Sequence, residues 1–124
     1  MTAAPHQRIA QLAFETRLPL EEVCATLGST MSLPKFELDH ENESEWGECE
    51  LAGVTYNVAC GDKPGYLRAL GWQVPATCNV GVTVMLDSSD ARLSDVEAIE
   101  RRLVDPVRTA ISTAFRTEVY RHRF

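Results

Sequence analysis

The period of the hydrophobic positions changes along the chain, and each change marks a different kind of element. Between residues 5 and 17, Ile9, Leu12 and Ala13 recur at the spacing of one helix face, which predicts a first helix. Pro19 suits the opening turn of a second helix, with Leu20, Val23, Cys24 and Leu27 as its apolar face and Gly28 as a left-handed cap. From Lys35 the period drops to two. Phe36 and Leu38 alternate with Lys35, Glu37 and Asp39, the pattern of a strand with one buried face. Residues 46–51 and 54–60 then form two alternating runs around Ala52-Gly53, where glycine supplies the positive φ of a tight turn, and a β-hairpin is predicted. In its first arm Trp46, Glu48 and Glu50 share one face, and residues 41–45 are left to the preceding turn.

The stretch 61–77 contains Gly61, Pro64, Gly65, Gly71 and Pro75 and reads as a long loop with at most one helical turn at 66–70. Alternation resumes at Asn79, with Val80, Val82, Val84 and Leu86 on one face, as expected of a central strand. Residues 87–90 form a turn. Ser94 and Glu97 make a capping box for the longest helix, whose stripe is Val96, Ile99, Leu103, Val107, Ala110, Ile111 and Ala114. Pro106 lies inside it, so the helix either kinks there or restarts with Asp105 as its cap. Val119 and Tyr120 supply a last short edge strand. The sum is an α+β fold, a mainly antiparallel sheet of about four to five strands packed by N-terminal helices and a long C-terminal helix. At 124 residues the chain is one domain, with enough length to bury a core unaided.

Composition narrows the function classes. The formal net charge of -6 opposes non-specific attraction to nucleic acid or to an anionic membrane and favours a basic partner. The charge is uneven, because residues 101–124 hold six arginines against Asp105 and Glu118. No run of about 18 apolar residues occurs and no signal peptide opens the chain, so a cytoplasmic address is expected. Cys24, Cys49, Cys60 and Cys78 form no C-x-x-C pair and read as reduced core thiols.

Enzymatic constellations are missing: there is no G-x-S-x-G, Walker glycine loop, G-x-G-x-x-G or H-E-x-x-H. No cofactor is expected. His40 between Asp39 and Glu41 is the nearest approach to a metal site, and a small metal-dependent enzyme built on those residues is one alternative reading. Neighbouring strand residues point to opposite faces, however, and rarely converge on one ion. What stands out is a stretch of fourteen residues, 37–50, with seven carboxylates and no cation. One reading is a solvated face that serves solubility. The other is a negative surface that steers a basic protein into place, with Glu41, Glu43, Glu45, Glu48 and Glu50 as its charges and Trp46 as an aromatic anchor. Tyr66 and Trp72 in the long loop are further anchor candidates, being residue types enriched at interface hot spots.

The run F-E-L-D-H-E-N-E-S-E-W-G-E-C-E at 36–50, the hairpin arm V-T-Y-N-V and the closing E-V-Y-R-H-R resemble the small acidic α+β immunity proteins of bacterial toxin–immunity systems. That resemblance implies a non-catalytic inhibitor that occludes a basic toxin domain. A second outline, that of type III secretion chaperones, implies a homodimer that holds an extended segment of its client.

Overall fold

In a computed structural model, residues 6–41, 44–61, 63, 65–87 and 96–122 are described. Their elements, in chain order, are β1 (His6–Phe14), α1 (Leu20–Met31), β2 (Glu37–Glu41), β3 (Ser44–Leu51), β4 (Val54–Gly61), α2 (Tyr66–Ala69), β5 (Val80–Asp87), α3 (Val96–Ile99), a π-helical turn (Glu100–Val104), α4 (Asp105–Phe115) and β6 (Tyr120–Arg121). The strands form one six-stranded sheet in the order β2-β3-β4-β5-β1-β6, antiparallel at every step. The α+β class holds, with six strands where four to five were expected.

The main correction concerns the N-terminal segment, which is a strand where a helix was predicted. Ala10, Leu12 and Phe14 are buried on one side of β1, and Gln11 and Ala13 are buried on the other. A strand covered on both faces loses the alternation that identifies it, and Ile9, Leu12 and Ala13 then imitate a helical stripe. Of the two helices expected over residues 5–28, the first therefore does not form and the second is α1. β1 adds between β5 and the two-residue β6. The expected last edge strand is present.

α1 keeps its predicted apolar face but runs through Gly28. It closes at Ser32, whose φ of 56° is left-handed, with Leu33 N–H donating to the Gly28 carbonyl at 2.8 Å. Continuation brings Met31 and Leu33 against the core, the apolar contact that accompanies such a closure. At the C-terminal helix the irregularity precedes Pro106 as a π-helical turn, and Asp105 is not the cap of a new helix. Pro106 has no N–H to give the carbonyl four residues back, and the chain widens into a π-turn in which Asp105 N–H bonds Glu100 C=O. Asp105 is itself helical and caps nothing. Of the predicted stripe, Val96 is 72% exposed, whereas Ile99, Leu103, Val107, Ala110 and Ile111 are buried. The turn at 87–90 and the Ser94 cap lie outside the described residues.

Cross-strand register divides the sheet into two faces. Rows Gly47–Val58–Val82–Leu12 and Cys49–Tyr56–Val84–Ala10 lie under α1 and α4 and carry the main core. Phe14 stacks on Phe115 of α4 with ring centroids 4.9 Å apart. The opposite face carries rows Asp39–Trp46–Ala59–Gly81–Ala13 and Glu37–Glu48–Asn57–Thr83–Gln11. There the loop that follows β4 folds back over one end and builds a second, smaller core from Ala13, Leu67, Val74 and Cys78. No helix among the described residues is long and apolar enough to cross a membrane.

Candidate functional site

The acidic stretch is folded into a hairpin whose register sorts the carboxylates. β2 pairs with β3 so that Glu37 faces Glu48, Asp39 faces Trp46 and Glu41 faces Ser44. Residues directly opposite one another in an antiparallel pair share a face. Glu37, Asp39, Glu41, Trp46, Glu48 and Glu50 therefore all project from the face opposite the long helices. Glu45 pairs with His40 and projects from the other side, and Glu43 lies outside the described residues. Glu41 and Glu45 are strand residues where the sequence reading left them in a turn. The predicted hairpin around Ala52 (φ 53°) and Gly53 (φ 82°) is present and brings Glu48 opposite Asn57, whose side-chain amide donates to the carboxylate at 3.2 Å.

Glu37 and Asp39, which were not among the expected site residues, complete the negative face. The signal for them was in the sequence: once Phe36 and Leu38 alternate as a strand, the residues between them must share the other side. All five carboxylates are exposed. Neighbouring strands lie about 4.8 Å apart, inside the screening length of about 8 Å at physiological salt, so these charges act on one another and on an approaching ion as a group. Placing Glu37 directly across from Glu48 is unfavourable for the sheet itself. Trp46 is half-buried and stands in neither core cluster.

The two loop aromatics have a structural task on the same face. The Tyr66 ring rests on Gly61 and the Trp72 ring on Gly81, where an added Cβ would meet Trp72 at 2.6 Å. Arg68 holds the loop closed by donating from Nε to the Val74 carbonyl at 2.8 Å. His122 Nδ1 accepts from the Gln73 N–H at 2.7 Å, with its ring 6.1 Å from that of Trp72. Tyr66 and Trp72 thus cover the small core while remaining half-exposed, Tyr66 over β4 and Trp72 over β5, one and two strands across the sheet from Trp46. In the same region a polar strip crosses the sheet, with Gln11 Nε2 donating to Thr83 Oγ1 at 3.2 Å in a buried position.

The residues considered for catalysis are separated. His40 lies on the opposite face of β2 from Asp39 and Glu41, and its backbone N–H is taken by the Asp39 carboxylate at 2.8 Å. No cluster of three His, Cys, Asp or Glu side chains placed to hold a metal occurs among the described residues. None of the four thiols forms a disulfide. Burial pushes Cys24 up to about 12 and Cys49 to about 11, with Cys78 raised by the same cause, so these sulfurs are protonated and poor nucleophiles at neutral pH.

On the helix side, the edge strand β2 borders a groove of about 960 Å³ between itself and α1. Its floor is Cys24 and Phe36, both buried, and Leu38, 47% exposed, forms its outer wall. Gly47 makes this close approach of α1 and β2 over β3 possible, since a Cβ there would lie 2.7 Å from Cys24 Sγ and 2.8 Å from Leu38 Cδ2. Compared with protein-family models, with curated proteins and with solved structures, the chain finds no match.

Proposed function

We propose that this chain is a non-catalytic, cytoplasmic protein-binding domain of the immunity or antitoxin kind, which occludes a basic toxin domain on its acidic sheet face. The observation that carries the reading is the sorting of Glu37, Asp39, Glu41, Glu48 and Glu50 onto one face around Trp46. A solubility device has no need of a shared face, and opposing Glu37 to Glu48 costs the sheet stability that a cationic partner would return. The charges would steer encounter, and Trp46 would desolvate against the partner once it is seated. Tyr66 and Trp72 would form the rigid far border of that surface. Four cysteines that form no disulfide fit a reducing compartment.

The test is a titration of the cognate basic partner, for which the C-terminal domain of the protein encoded immediately upstream is the first choice. Neutralising Glu37, Asp39, Glu48 and Glu50 to the corresponding amides is expected to weaken binding by at least about a hundredfold at low salt, mostly through a slower association rate. It should also flatten the dependence on ionic strength. Unchanged affinity in that variant would overturn the electrostatic mechanism.

A further inference from the structure

We infer that the partner engages by strand addition: an extended segment with alternating basic and apolar residues pairs with the free edge of β2, which becomes the penultimate strand of a seven-stranded sheet. This rests on the acidic-face reading and adds to it the geometry and the sequence pattern of what is bound.

The edge itself is the first observation. Among the described residues β2 is terminal in the sheet, all five of its residues are exposed, and only its β3 side is paired. In an antiparallel strand alternate residues direct N–H and C=O outward, so the Leu38 N–H points the same way as that of His40, which is outside the β3 ladder. Such an edge is a ready template for another chain. A second copy of this protein is a poor occupant, because β2 against β2 would set Glu37, Asp39 and Glu41 against their own kind. The Asp39 carboxylate that occupies the His40 N–H adds a further barrier to casual pairing.

The second observation is that the two sides of this edge are chemically opposite. On one side stand Glu37, Asp39 and Glu41; on the other, Leu38 borders the groove floored by Cys24 and Phe36, and His40 stands beside it opposite Glu45. Side chains of an added strand alternate between these same sides. Lys or Arg at the first, third and fifth positions would meet the carboxylates, and an apolar residue opposite Leu38 would enter the groove, with the remaining position lying over His40. Five residues match the length of β2. Main-chain pairing supplies affinity and the two-sided chemistry supplies the choice of segment.

The experiment uses two labelled, capped peptides of one composition, Lys-Val-Lys-Val-Lys and Lys-Lys-Lys-Val-Val, with fluorescence anisotropy and amide hydrogen exchange on the full chain. The alternating peptide is expected to bind at least about tenfold more tightly than the block peptide and to slow exchange at Leu38 and His40. Leu38→Pro, which removes an outward N–H at an edge position that tolerates proline, and Leu38→Lys, which reverses the groove side, should each abolish the preference. Circular dichroism checks that both variants fold, and the exchange result on the unaltered chain stands apart from either. Equal binding of the two peptides with no protection of β2 overturns strand addition and leaves the acidic-face reading intact. Binding of neither peptide at low salt overturns both. A stable dimer in light scattering that Leu38→Pro dissociates would give the edge to a second copy and likewise overturn the proposal.

Discussion

Gly61 and Gly81 occupy strand positions where glycine ordinarily weakens a sheet, and in each case an aromatic ring lies where a side chain would stand. Gly28 is different, because it sits inside α1 and an added Cβ there would meet Phe36 at an ordinary 3.9 Å. Two alanine substitutions should therefore have opposite signs. Gly28→Ala is expected to raise stability by about 0.5–1 kcal/mol through helix propensity, and Gly81→Ala to lower it by about 1–3 kcal/mol by displacing Trp72, both read from urea midpoints. The buried thiols set a pH dependence at the same scale. A thiol whose folded value rises from 9.0 to about 12, as at Cys24, or to about 11, as at Cys49, favours the protonated native state. That contribution is complete below pH 9 and disappears as the pH climbs through the folded values. Urea midpoints are expected to fall steeply above pH 9, and less steeply in a Cys24→Ala, Cys49→Ala variant.

Between elements, the least secured piece of the sheet is β6, two residues long and held by a bidentate pair to the π-turn. Arg121 reaches Glu100 with Nη2–Oε1 at 2.6 Å and Nη1–Oε2 at 2.8 Å, each side chain one-third exposed. That hydrogen bond to Arg121 holds the Glu100 carboxyl below its ordinary value. The sign follows: the pair stabilises the fold above the ordinary carboxylate range and is lost as the pH falls through the depressed value. Arg121→Ala should cost roughly 0.5–1 kcal/mol at neutral pH and remove the acid-dependent part of β6 opening, measured by amide exchange at residues 120–121. Pro106 belongs to this scale as well. Its missing donor was visible in the sequence, whereas the π-turn that places Leu103 and Val104 in the main core was not.

For the whole molecule, the carboxylates gathered on one face of the sheet are the feature on which the proposed reading turns. Six arginines fall after residue 100 and five exposed carboxylates share the far side of β2 and β3, a separation of charge that would orient the basic partner proposed above. Because the groove and the carboxylates flank one edge, the proposed strand addition and the proposed binding on the acidic face would reinforce each other, and separating them requires the backbone-directed variant Leu38→Pro beside the charge-neutralised one.

What the sequence determined by itself was local. Alternation in 46–51 and 54–60 with Ala52-Gly53 between them specified the β3–β4 hairpin, and 80–86 specified the central strand, because half-buried strands write their period into the chain. The amphipathic faces of α1 and of the C-terminal helix were equally legible. The tertiary structure alone decided the rest. β1 is buried on both faces, which erases its period. Glu37 and Asp39 join Glu48 and Glu50 only because cross-strand register, a pairing between distant backbone groups, sets which side chains share a face. Trp72 and Tyr66 rest on Gly81 and Gly61 through a loop closure that no spacing in the sequence encodes. The acidic stretch was plain in composition, and its division, with Glu45 on one side and five carboxylates on the other, follows from the pleat of two paired strands.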